Sequence, residues 1–461
     1  MAILTRSAPL LLLLALGCSE KSEDSEGGGQ GGDGDVNSGE PGAQGKPDND
    51  SPAPVASIGP TLDDTSLYDF CSDDDVSQLE YDVQGDVSLA ELLEQESGSL
   101  ATQSSLAVVL INGTSLVEAD LQTIASINQP TEDGGAGLTE LTSLGLCNLE
   151  TLSTEAFRDL DEGWLEYLYM DSLLAVEAFA FAGSDNGTTT SLKGISMNSV
   201  LTIGEAAFQW GSLEELMLPN VQSIEIDAFR DNYRMLEVFL PKVETLADAV
   251  FDDNTHLVRA TFPELTMVGR NVFDDNHELV EINMPKVTYL GKSFFGSCYS
   301  LEAVHFPSVV TVDDNAFDNC EFLTSVSLPA AKDIRNRVFS ECVSLRELSL
   351  PQVTNFMNDV FLTCTNDTHP IPNTCCQLES VHLPLVESIG SSTFSGCTEL
   401  ERVVLGDTPP TVGADAFNGT PTELTVYHGG NTSDWSDFST EGNTSAAIVN
   451  CASVSAEVCE G

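Results

Sequence analysis

The amino-acid sequence predicts an α/β-type repeat solenoid, in which short coils stack to form a parallel β-sheet on one face and irregular or helical turns on the other. Three observations predict it. Phenylalanine recurs at Phe229, Phe251, Phe273, Phe295, Phe317, Phe339 and Phe361, a fixed step of 22 residues. Proline keeps the same step from Pro219 to Pro351. Between them the apolar slots repeat: Leu279, Ile282, Met284, Val287 and Leu290 in one unit become Leu301, Val304, Phe306, Val309 and Val312 in the next. A coil this short cannot enclose a core alone, so each must stack on its neighbours and the array must have distinct ends.

Composition bounds the rest. The chain has 461 residues with 73 acidic against 17 basic side chains, a formal charge of −56 and a pI near 4.1. Phosphate neutralisation needs clustered Lys and Arg, so nucleic acid is excluded as a partner class. With 41% hydrophobic residues, wholesale disorder is excluded as well.

Residues 1–18 read as an export signal: one positive charge at Arg6, an apolar run from Pro9 to Leu16, then Gly17 and Cys18. The run is too short to span a membrane. Ala15, Leu16, Gly17 and Cys18 resemble the lipobox of bacterial lipoproteins, with Ala15 where Leu is preferred. That resemblance implies lipidation at Cys18, and Ser19 after it implies outer-membrane sorting; the other readings are a cell-surface or plainly secreted chain. Residues 19–60 are rich in Gly, Ser, Asp, Glu and Pro and poor in large apolar side chains, so they read as a disordered acidic linker. About 40 such residues reach roughly 35 Å. Asp33, Asp35, Asn37 and Gly39 have the flavour of a calcium loop, yet the glycine is one place late and Gln44 stands where a bidentate Glu belongs.

Residues 61–137 read as an N-terminal cap, with a short helix from Leu89 to Glu96 and a buried strand from Leu106 to Ile111. Residues 138–420 hold about twelve coils, the first opening at Leu141 and the last closing at Phe417. The step is broken by an 11-residue insertion between Phe361 and Phe394. Residues 421–461 form a C-terminal cap and tail around Leu424, Tyr427, Trp435 and Phe438. Within a coil the Leu-x-x-Val-x-Leu-Pro stretch alternates as a strand, which proline ends because it lacks the amide donor. Twelve coils at about 4.8 Å make a stack of roughly 55 Å.

These units resemble the BspA-like branch of leucine-rich repeats, shown by Leu383, Pro384, Val386, Ile389, Phe394, Cys397 and Leu400. The resemblance covers about Leu138 to Phe438. It departs from the commoner leucine-rich consensus, in which Asn or Cys follows the strand by three residues; Val221, Val243, Leu265, Val287 and Val309 hold that slot here. The resemblance implies an extracellular or surface protein with a role in adhesion, and names no ligand.

Candidate sites lie in columns. Three residues past each Phe stand Asn232, Asn254, Asn276, Cys298, Cys320, Cys342, Cys364 and Cys397, a structural column read as buried polar groups giving way to free buried thiols. Stacked single cysteines do not reproduce the paired spacing of zinc sites. Cys71 with Cys147 and Cys451 with Cys459 are candidate disulfides for an exported protein, and Cys364, Cys375 and Cys376 cluster at the insertion. Asp231, Asp252, Asp253, Asp274 and Asp275 stack carboxylates about 5 Å apart, which repel by roughly 1 kcal/mol per pair in water and more when partly buried. Calcium is one candidate neutraliser; no other cofactor is implied. The exposed strand columns contain Glu215, Met217, Glu237, Phe239, Arg259, Glu281 and His305, a candidate binding face. His305 and His382 lie three coils apart, too far to share a metal.

No Gly-x-Ser-x-Gly, His-Glu-x-x-His or phosphate-loop motif occurs, and Gly-x-Gly-x-x-Gly is met only inside the glycine-rich linker, at 27–32 and 29–34, away from any strand or helix pattern. The sequence therefore points to a non-enzymatic cell-surface or secreted binding and adhesion protein, meeting a protein or glycan partner and touching the membrane through a lipid anchor only. A structural envelope component without a ligand is the alternative, with a hydrolase third.

Overall fold

The computed structural model describes residues 70–73, 76–128, 138, 140–158, 165–183, 191–361, 377–454 and 459. The chain divides into two units, Met1–Ile58 and Gly59–Gly461. The first unit lies outside the described residues, and with it Cys18, most of the linker and the Asp33 to Gly39 stretch; so do Cys364, Cys375 and Cys376.

In the second unit the alternating stretch of each coil forms a short strand, as in Glu215–Met217, Glu237–Phe239, Arg259–Thr261 and Glu281–Asn283. These pair in parallel, with Val238 opposite Leu216 on one side and Ala260 on the other. Strict register follows from the pattern: a slip by one residue would turn every buried Leu or Val outward. Each central residue faces the core, and the residues on either side of it stand on the outer face.

A second parallel ladder runs beside the first, which the sequence did not reveal. Its strands are two residues long, including Ser223–Ile224, Thr245–Leu246 and Met267–Val268, and pair coil to coil. The Ile, Leu or Val five places past each proline therefore lies in a sheet of its own.

On the far side of the core the repeated phenylalanines stack from Phe157 to Phe417, with successive ring centroids 5.1–5.8 Å apart. The row is buried throughout. Removing one such ring costs about 3–5 kcal/mol, because its neighbours above and below cannot close the gap.

From Phe208 to Phe339, and again at Phe394 and Phe417, each Phe of the row sits between two residues of positive φ, two places before and two places after it. Asp227, Asn271 and Asn315 are examples of the first set, at 55°, 56° and 61°. Asp231, Asp253, Asp275 and Asn319 belong to the second, at 61°, 59°, 54° and 61°. Asn and Asp tolerate this left-handed region best after glycine. In the last coils glycine takes over the second position, as Gly396 and Gly419 at 77° and 78°. Backbone geometry therefore accounts for Asp231, Asp253 and Asp275, though not for Asp252 and Asp274.

The N-terminal region is more regular than its sequence suggested. The helix (α1) runs from Leu89 to Leu100, four residues beyond the expected end at Glu96, and opens on a capping box in which Ser88 and Glu91 exchange hydrogen bonds. The strand spans Ser105–Ile111. A further strand, Ser77–Asp82, and a second helix (α2), Glu118–Ala125, were not read from the sequence. The two strands pair in parallel and continue into the repeat ladder, Val108 lying between Leu79 and Leu146. Cys71 and Cys147 form a disulfide with Cα atoms 5.7 Å apart. It holds Phe70 flat on Tyr169, ring centroids 4.1 Å apart, and against Gly145, where a Cβ would fall 2.6 Å from the Phe70 ring. The chain thus covers its own strand face over the first coils.

At the other end Thr425–His428 and Ala447–Asn450 extend the ladder. Trp435 is buried on His428, and its indole N–H donates to the Asp407 carbonyl at 3.2 Å. Cys451 and Cys459 are joined as a disulfide. No helix among the described residues is long and apolar enough to cross a membrane.

Candidate binding face

Beyond the Phe70 cover the strand face is open. Glu215, Met217, Glu237, Arg259 and His305 are exposed there, and Phe239 and Glu281 are half-buried. Met217 is 41% exposed, on the strand that ends a four-stranded sheet with Glu237–Phe239 as its neighbour. Register brings the chosen residues together: Glu215 stands beside Glu237, Glu237 beside Arg259, and Arg259 beside Glu281. Arg259 pairs with Glu237. Glu215 has no such cation, and its carboxyl is pushed up by burial, with Glu237 and Glu214 adding to the effect. Opposed like charges of this kind are destabilising within a sheet. His305 Nδ1 lies 2.8 Å from Ser327 Oγ on the next coil.

The five aspartates proposed for calcium do not form one group. Arg230, which the sequence reading passed over, lies among them with Asp231 at 3.4 Å, Asp252 at 3.2 Å and Asp253 at 3.1 Å, and with Asp227 at 3.6 Å. It occupies the slot filled by Asp252 and Asp274 in the next two coils, so its place in the column was the available signal. Asp252, Asp274 and Asp275 bring one oxygen each within 4.8 Å of one another. Burial pushes the Asp252 carboxyl up to about 7, helped by Asp253, Asp274 and Asp275 and opposed by Arg230. Burial and then Asp275 push Asp274 up to about 6. The Arg230 guanidinium and the raised carboxyl of Asp252 thus offset part of the repulsion among the stacked charges, and the Asp252, Asp274 and Asp275 oxygens lie close enough to share a cation.

The Asn/Cys column is a ladder of donors. The Asn254 amide donates to the Phe229 carbonyl at 3.0 Å and the Asn276 amide to the Phe251 carbonyl at 2.8 Å. The Cys298, Cys320 and Cys342 thiols do the same towards Phe273, Phe295 and Phe317 at 3.2, 3.1 and 3.1 Å. Asn232 donates to the Phe208 carbonyl of the coil before it. These three thiols are free and buried. They differ from the sequence reading in one respect, since each acts as a hydrogen-bond donor as well as a small apolar group. Cys397, expected as a free thiol of the same column, is instead in a disulfide.

The family comparison agrees with this repeat architecture. The model of the BspA type leucine rich repeat region matches residues 137–258, 244–368 and 373–434. No curated protein matches the chain. Among solved structures, a leucine-rich repeat protein from Bacteroides ovatus is 18% identical, with 68% of this chain and 85% of that one covered and a TM-score of 0.37. A leucine rich cell surface protein from Faecalibacterium prausnitzii is 21% identical, covering 57% and 83% at a TM-score of 0.30. A leucine rich repeat protein from T. pallidum is 23% identical, covering 46% and 83% at 0.28. With the repeat model matched over most of the stacked coils, the chain belongs to the BspA type leucine-rich repeat family.

Proposed function

We propose that the protein is a non-enzymatic binding protein, exported and anchored at the outer membrane or cell surface through lipid on Cys18, which meets a protein or glycan partner with its strand face. The observation that carries this reading is the uncovered stretch around Met217 and Phe239, where apolar side chains and the uncompensated Glu215 share one surface. Interface cores favour such exposed Met and aromatic groups. An acidic rim selects against anionic partners and accelerates encounter with cationic ones.

Protease shaving of intact cells that express the full chain tests the location. Release of repeat peptides is expected; protection until the outer membrane is broken would replace this reading with an internal structural role. Reversing charge at Glu215, Glu237 and Glu281 tests the face. Adherence of the expressing cells should fall at least about tenfold, equivalent to about 1.4 kcal/mol, in a chain that a thermal melt shows to be folded, with a melting temperature lowered only by the like charges then flanking Arg259. Unchanged adherence would remove the strand face as the contact surface.

A further inference from the structure

An open cleft of about 530 Å³ lies where the last coils meet the C-terminal cap. It arises from a break in the repeat. Eight coils in succession end their strand on Leu-Pro or its equivalent, from Pro219 to Pro384, but the next has Gly406 at that place. A Cβ on residue 406 would fall 1.9 Å from the Pro384 carbonyl oxygen, so glycine alone lets the two turns approach there. Asp407 and Thr408, which follow, line the cleft with it.

Its lining joins two kinds of surface. Pro384, Leu385 and Leu405 provide apolar wall, and Leu385 is 50% exposed. Glu387 and Asp407, both exposed, provide two carboxylates. The Cys451–Cys459 disulfide stands on the rim. Asp407 is held in place: one side-chain oxygen accepts from the Gly430 amide at 2.9 Å, and its carbonyl accepts from Trp435. Asp407 is otherwise exposed at the cleft. His382 also lines the cleft, and burial followed by Arg402 lowers its pKa, so it brings no positive charge at neutral pH. The guanidinium of Arg402, which is not part of the lining, donates to Ser380 Oγ.

We propose that this cleft receives one arginine side chain of a partner polypeptide, its stem against Pro384, Leu385 and Leu405 and its guanidinium on Glu387 and Asp407. Long cationic side chains bury their methylenes on apolar wall while the head reaches polar partners. A guanidinium is weakly hydrated and presents five donors in a plane, which suits two carboxylates better than a compact ammonium does. The inference rests on the binding reading above and gives it a specific anchor at the opposite end of the stack from Met217.

The test uses the full chain with its six histidines labelled with ¹³C, and Nα-acetyl-arginine methylamide as probe. The His382 signal, assigned with His382→Asn, should shift saturably at concentrations up to about 10 mM, the range expected for one charged side chain alone. The uncharged citrulline analogue, and Glu387→Gln with the arginine probe, should each bind at least tenfold more weakly. Glu387 is exposed, so its variant keeps the fold, which a thermal melt confirms. No shift with the arginine probe, or an equal shift with citrulline, overturns the proposal. Probe binding with unchanged adherence after reversal of the strand-face charges removes the strand face and keeps the cleft; the converse removes the cleft alone.

Discussion

Replacing Asp274 by Asn should make the protein more stable at pH 8 and leave it nearly unchanged at pH 4. Asp274 is largely buried beside Asp275, and its carboxyl titrates at about 6 instead of 3.8. The sign follows from proton binding. Between these values the folded chain holds a proton that the unfolded chain has released, so stability falls as pH rises from about 4 to about 7 and levels off above that. Moving a carboxyl that far costs its ionised form up to about 3 kcal/mol. The interaction with Asp252 divides the cost between coupled groups, so a gain of about 1–2 kcal/mol at pH 8 is expected. Asn keeps the contact in which Asn271 donates to the Asp274 side chain at 3.2 Å. With an unfolding entropy of about 2.1 cal/mol/K per residue over roughly 400 residues, each kcal/mol moves the midpoint by about 1 °C. The assay is paired calorimetric melts of wild type and D274N at pH 4 and pH 8, at constant ionic strength. Taking the difference between proteins cancels the self-repulsion of the acidic chain. A variant less stable than wild type by the same amount at both pH values would refute the burial argument.

Three further outcomes follow from the same coordinates. Asn254 Oδ1 accepts the buried Asn232 amide at 2.7 Å, whereas Asn276 Oδ1 has no donor; N254C should therefore cost about 1–3 kcal/mol and N276C less than about 1, as chemical denaturation will measure. Cys298, Cys320 and Cys342 are buried and their thiols pushed well above the ordinary range by burial, so a thiol reagent should leave all three unmodified in the native protein and label them on unfolding; rapid native labelling would contradict the ladder. Millimolar calcium should shift the midpoint no more than sodium at equal ionic strength, since the Arg230 guanidinium already offsets charge among the aspartates; a calcium-specific rise would instead assign Asp252, Asp274 and Asp275 as a cation site.

The sequence by itself determined the repeat, its stacking and the composition of the core. Those features are periodic, and Phe, Pro and the strand residues each recur at the step that burial imposes on every coil alike. The donor role of the Asn/Cys column was half legible, because the residue types were plain but not the Phe carbonyls they reach. The tertiary structure decided what depends on departures from the period. Arg230 gains its meaning only when the stack sets it among aspartates of its own and the next coil. The strand face is limited by Phe70, whose position comes from a disulfide to a residue far along the chain. The cleft lies where Gly406 stands in place of the repeat's proline, beside Pro384. A single unmatched residue carries no periodic signal, and what it does is settled by the neighbours that stacking brings to it.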